Sequence, residues 1–293
     1  MQTTLEKLEA DFARIKEMMK VFLIEHSAIK YQPFNPGPHF VPIGFSDYVW
    51  VGLDQNGKKN QAELYKSYKA LMDLCKVLIV DLPPDSIKLF EEQQKAVLSS
   101  IEQNVMVWEK STQEVYKRTE DCLIKQLEIV NMIQDSTGNG YVFVPDTNAL
   151  LINTNLESWE FDGADKFEIL LLPTVLAELD ALKINHRNPE VREKAQGMIR
   201  RIKGLRGRGY LTDGVNLVTN KIMLRALAVE PKFENVLPWL EMKNPDDRII
   251  ASFVEVMRQL PSSKLCLVTA DINLQNKAEF ARLAFVEPPA ERK

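Results

Sequence analysis

Cysteine and histidine are scarce in this 293-residue chain. The three cysteines, Cys75, Cys122 and Cys266, are widely spaced and odd in number. They exclude a disulfide framework and a CxxC zinc or redox motif, and they predict reduced, mostly buried thiols in a cytoplasmic protein. His26, His39 and His186 are equally scattered and form no zinc or general-base constellation. No apolar run approaches the roughly 18 residues that a membrane span needs. The first residues, MQTTLEKLEADFARIKEMMK, are densely charged and lack the apolar core of a signal peptide. No membrane role is expected. What remains, 45% hydrophobic and 27% charged residues, is ordinary for a soluble protein. The length admits one or two domains.

The two halves differ in texture. Leu5, Leu8, Phe12, Ile15, Met19 and Phe22 follow a 3-4-3-4-3 spacing, which predicts an amphipathic helix with a narrow seam. Tyr31–Ser46 holds Pro33, Pro36, Pro38 and Pro42 and reads as a loop or extended arm. A second helix over 61–80 carries Leu64, Tyr68, Leu71 and Leu78 on its stripe, and Pro83-Pro84 breaks it. From Asp85 to about Gln134 there is no proline or glycine, so one very long helix or two helices are expected. Ile87, Phe90, Gln94, Val97, Ile101, Val105 and Trp108 would share a face. STGNG then leads into a segment of apolar β-rich runs alternating with helical patterns. The expected organisation is a helical domain at 1–135, a linker at 136–140 and an α/β domain at 141–293. Residues 1–140 hold 16 Lys/Arg against 20 Asp/Glu, and residues 141–293 hold 21 of each. The helical half is therefore a poor main nucleic-acid surface. A scaffold, a docking element for a protein partner, and self-association through its helices all fit it.

Four acidic motifs mark the second half: PDTNALL at 145–151, TVLAELDALK at 174–183, NPDDRIIAS at 244–252 and LVTADINLQNKA at 267–278. Tyr141–Val144, Phe167–Leu172 and Lys264–Thr269 read as buried strands of a parallel sheet covered by helices on both faces. Sites in such sheets lie beyond the carboxyl ends of the strands, where Asp146 and Asp271 fall. Glu178 sits one turn into its helix, and Asp246/Asp247 open another. Singly, each acid reads as a cap, a turn or a solvated residue. Together they read as a carboxylate cluster, whose members repel unless a cation holds them. All-oxygen donors point to Mg²⁺ or Mn²⁺, and such a site suits phosphodiester cleavage. Asp180 lies about 200° around the helix from Glu178 and should not share the site.

These motifs resemble those of the PIN domain, a family of metal-dependent ribonucleases and ribonuclease-like domains, over about residues 139–288. DTNALL resembles the first motif, LAELD the second, DDRIIAS the third and TADINL the fourth. The resemblance implies a central parallel sheet flanked by helices. It assigns Asp146, Glu178, Asp247 and Asp271 as catalytic metal ligands. Asn148, Thr269, Asn273 and the neighbouring Asp246 would orient those ligands or the attacking water, with Asp246 the more peripheral of its pair. The implied reaction is endonucleolytic cleavage of RNA that leaves a 5′-phosphate. Two other readings stay open: a structure-specific DNA nuclease, and a non-cleaving RNA-binding or scaffold protein with the same fold. The resemblance does not cover residues 1–138.

Lys183–Arg208 adds nine Lys/Arg against two acids directly after the Glu178 helix. Its end, RRIKGLRGRGY, places Arg200, Arg201, Lys203, Arg206 and Arg208 among glycines and a tyrosine. That composition suits the phosphates of single-stranded RNA without reading bases.

Overall fold

A computed structural model describes residues 1–33, 46–104, 106–133, 140–228, 230 and 235–291. Of the expected linker only Gly140 is described; residues 136–139, Val105 and most of the proline-rich 31–46 stretch lie outside. The chain divides into two compact units, residues 5–133 and residues 134–293 with the first four.

The helical unit contains α1 (Thr4–Glu25), β1 (Ile29–Tyr31), β2 (Tyr48–Trp50), α2 (Gln55–Leu78), α3 (Pro84–Glu102) and α4 (Thr112–Asn131). The α1 seam from Leu8 to Phe22 is buried, at most 3% exposed, so it is core and is not free to form a coiled coil with another chain. Leu64, Tyr68, Leu71 and Leu78 are buried along α2. The proline-free stretch forms two helices. Gln103 adopts a left-handed backbone (φ 54°) that ends α3. Ser111 then caps α4 by accepting from Glu114 N–H, and the Glu114 carboxylate accepts from Lys110 N–H at 2.9 Å. Trp108, expected on a helical face, lies in the intervening link and is 62% exposed. The antiparallel β1–β2 pair was not anticipated; it forms at the two ends of the proline-rich stretch.

The second unit contains β3 (Tyr141–Pro145), α5 (Thr147–Ile152), β4 (Phe167–Leu171), α6 (Pro173–Asn185), α7 (Pro189–Leu205), β5 (Val215–Val218), β6 (Ile222–Ala226), α8 (Pro245–Gln259), β7 (Lys264–Val268), α9 (Ile272–Phe280) and β8 (Phe285–Val286). The strand order is β5-β6-β4-β3-β7-β8. The three expected strands form its centre, β4-β3-β7, all parallel. Their near-continuous burial follows from helices covering both faces. The sheet is mixed rather than wholly parallel: β5 and β6 form an antiparallel hairpin that the sequence reading missed, as it did β8. The parallel centre leaves the carboxyl ends of β3, β4, β6 and β7 on one edge.

The helical core contains a buried polar pair. Tyr68 Oη donates to Gln126 Oε1 at 3.0 Å, and neither side chain is exposed. Tyr68→Phe strands the amide oxygen of Gln126, so it should cost about 1–2 kcal/mol in urea unfolding. An unchanged midpoint would mean that water satisfies Gln126.

Candidate active site

The acids are placed by strand ends and helix starts. β3 and β7 pair in register, Pro145 opposite Val268. The next residue, Asp146, continues the ladder by donating its N–H to Val268 O at 3.0 Å. The Asp146 carboxylate caps α5, accepting from Ala149 N–H at 2.6 Å, and its other oxygen accepts from the Thr269 hydroxyl at 2.5 Å. Thr269 Oγ1 in turn accepts Asp271 N–H at 3.0 Å. Asp271 caps α9 through Asn273 and Leu274 N–H, at 2.8 and 3.2 Å. Glu178 reaches back from α6 and accepts from the Thr147 hydroxyl.

A cavity of about 380 Å³ opens between these elements, lined by Asp146, Asn148, Glu178, Asp246, Asp271 and His186 among others. A second cavity of about 590 Å³ shares Asn148, His186 and Asp271 with it and runs toward Lys194 on α7. The DD pair is the reverse of the sequence expectation. Asp246 lines the cavity, whereas Asp247 is buried and turned away. Asp247 accepts from Glu241 N–H at 2.9 Å and pairs with Lys277 Nζ at 2.7 Å; Lys277 also reaches Asp246 at 3.2 Å. Asn244 caps α8 and fixes its phase, which puts Asp246 on the cavity side. Asn273 lies outside the cavity lining and is exposed, offering Asp271 its backbone N–H. Asp180 is on another face of α6, paired with Lys183. Sequence reasoning missed Thr147, Asn185, His186 and Lys277. The α6 residues carried a signal: Glu178, Ala181, Leu182 and Asn185 recur at one-face helical spacing, and all line the cavity.

The electrostatics follow from burial. Burial pushes the Asp146 carboxyl up to about 6; the Thr269 and Ala149 hydrogen bonds oppose the shift, while Asp271 and Glu178 add to it. Glu178 is raised by burial first, with its bond to Thr147 opposing and the charge of Asp246 reinforcing. Burial works against the Lys277 ammonium, but its hydrogen bonds to Asp247 and Asp246 outweigh it and raise its pKa. Among the described residues, no group of three or more His, Cys, Asp or Glu stands close enough to hold a metal ion. The donor chemistry nevertheless fits a hard divalent cation: four carboxylates face one cavity, and two of them are raised partly by their neighbours' charge. Gathering around an ion would require side-chain movement.

The basic segment divides. Arg201 is a strut: it donates to Thr154 O at 2.6 Å, approaches Asn155 Oδ1 and pairs with Glu157. Burial lowers its pKa, and the charge of Arg208 lowers it further. The expectation that Arg201 contacts substrate is corrected, because its guanidinium is already committed. Arg200, Lys203, Arg206 and Arg208 are exposed, and no ion pair to them occurs among the described residues.

Residues 143–287 match the family model described as PIN domain. No curated protein matches the chain.

Two outcomes are expected. The first concerns pH. An acid whose pKa is raised on folding gives up its proton in the unfolded chain first, so stability is lost as pH rises from about 4 to about 6. In EDTA, Asp146→Asn should therefore be more stable than wild type at neutral pH, by at most about 3 kcal/mol. The difference should vanish below about pH 4, where the carboxyl is protonated in both states. Thermal melts across this range check it; a pH-independent difference would refute the assignment. The second concerns Lys277→Met, which leaves Asp247 buried and unneutralised. It should destabilise by about 1–3 kcal/mol by chemical denaturation. Lys277→Arg should restore most of the loss.

Proposed function

We propose that the PIN domain carried by residues 143–287, of a family whose members are usually nucleases, is a metal-dependent endoribonuclease acting on single-stranded RNA. The observation that carries this reading is the convergence of Asp146, Glu178, Asp246 and Asp271 on one cavity at the carboxyl edge of the sheet. A Mg²⁺ or Mn²⁺ ion, when bound, supplies a water of lowered pKa and neutralises charge on the scissile phosphate. Asp146, Glu178, Asp246 and Asp271 are the residues that would hold it. Thr269 fixes Asp146 and Asp271 against each other, and Thr147 fixes Glu178. Lys277 tethers Asp246 from α9 and leaves Asp247 a supporting role. Asn148 and His186, on the wall common to both cavities, are placed to orient the RNA backbone. Exposed cations on α7 and after it supply sequence-independent attraction for neighbouring phosphates. The helical unit acts as a scaffold or partner-binding element. Three buried cysteines with no disulfide among the described residues suit the cytoplasm.

Labelled single-stranded RNA and DNA incubated with Mn²⁺ or with EDTA test the reading. Wild type should cut RNA only with metal. Asp146→Asn and Asp271→Asn should lower the rate by more than about 100-fold, since outer partners of metal ligands alone are worth 10–100. Their fold should be retained, because the amide oxygen still caps α5 or α9. A wild type that cuts neither polymer would replace this reading with a non-cleaving RNA-binding one. Cutting confined to DNA would replace it with a DNA nuclease.

A further inference from the structure

We propose that the cavity on the opposite side of α6 from the carboxylates is a nucleotide subsite, in which Tyr210 stacks a base of single-stranded RNA while Lys203 and Arg206 hold its phosphates. This inference rests on the proposed function and names a substrate contact for it.

The cavity is about 680 Å³, enough for a nucleotide. Pro173 at the start of α6 and Ala226 at the end of β6 both line it, so it opens on the sheet edge that carries the acids. The wall between the two cavities is α6: Glu178 and Leu182 face one, Leu176 and Asp180 the other. Its apolar surface comes from Leu176, Ile199, Ile202 and Leu211.

The rim is cationic and open. Lys203 and Arg206 line it, Arg208 follows, and none has an ion pair among the described residues. The one acid among its described lining residues, Asp180, is paired with Lys183.

Tyr210 is 79% exposed, the most exposed large hydrophobic side chain described. Its backbone is nevertheless fixed: Tyr210 O accepts from Asp213 and Gly214 N–H, both at 3.1 Å, and Leu211 O accepts from Ala226 N–H at 2.8 Å. A ring carried at a cavity mouth on pinned backbone, beside cations with no ion pair among the described residues, is a stacking platform. Stacking tolerates every base, which agrees with a segment that offers no base-edge readout.

Fluorescence anisotropy of the full chain with a short labelled oligouridylate, in EDTA to prevent cleavage, tests the subsite. Tyr210→Ala should weaken binding about tenfold or more, and Tyr210→Phe should stay within about twofold of wild type. Arg206→Ala should reduce the slope of log affinity against log salt by about 1. A short RNA duplex, whose bases are already stacked, should bind Tyr210→Ala and wild type alike. Melting temperatures should not move, because both side chains are exposed. Wild-type affinity in Tyr210→Ala overturns the subsite, as does a Tyr210→Phe variant as weak as the alanine one. If the wild type cuts RNA and only these differences fail, the proposed function stands without the subsite. If the wild type neither binds nor cuts RNA, both are overturned.

Discussion

The hydrogen-bonded run from Asp146 through Thr269 to Asp271 joins the fold to the site. It exists because β3 and β7 are parallel neighbours in one register, which brings the residues just past their carboxyl ends side by side. The same carboxylates that face the cavity start α5 and α9, so the caps and the site draw on the same oxygens. A slip of one residue between β3 and β7 would turn Asp146 and Thr269 to opposite faces of the sheet and remove both helix starts. Register, capping and site geometry are therefore one constraint, and the buried ladder beneath them is what enforces it.

That arrangement has an electrostatic cost which the structure distributes. Burial raises Asp146 and Glu178, and mutual repulsion adds to it. Backbone N–H groups at two helix N-termini and two threonine hydroxyls offset the cost locally. On the α8 side a tethered ammonium does the same for Asp246 and Asp247. The cavity is thus asymmetric: one end carries the Lys277 ammonium, while Asp146 and Glu178 remain raised, chiefly by burial. The latter end has the most to gain from a cation.

Asp146 and Asp271 were legible because short apolar runs, a proline and a cap residue fix where a strand stops. The choice between Asp246 and Asp247 was not. Neighbours at a helix start differ by about 100° in direction, and which one faces inward depends on the cap at Asn244 and on a lysine thirty residues away. Arg201 was illegible for a similar reason: its partner Glu157 lies on a distant turn, and nothing in RRIKGLRGRGY separates a strut from a free cation. The break between α3 and α4 was present in the sequence as Ser111-Thr-Gln-Glu114, a capping-box pattern, but the absence of proline and glycine obscured it. The β5–β6 hairpin was harder to see. Its strands flank a turn containing Asn220 at positive φ, with no Asn-Gly or Asp-Gly signal.

The helix α6 shows why a single apolar stripe does not describe every buried helix. Val175 and Leu179 are buried in the core, as the stripe requires. Leu176 and Leu182, one position on from Val175 and three on from Leu179, are only half-buried and line different cavities. Glu178 and Asp180 diverge in the same way, one to each side. A helix with core on one face and a cavity on each flank cannot show clean amphipathicity, because its flanks must carry both apolar surface and charge. The weak pattern of α6 is the expected signature of a wall between two openings. It also explains how acidic and cationic surfaces stand close together on one edge of the sheet without neutralising each other.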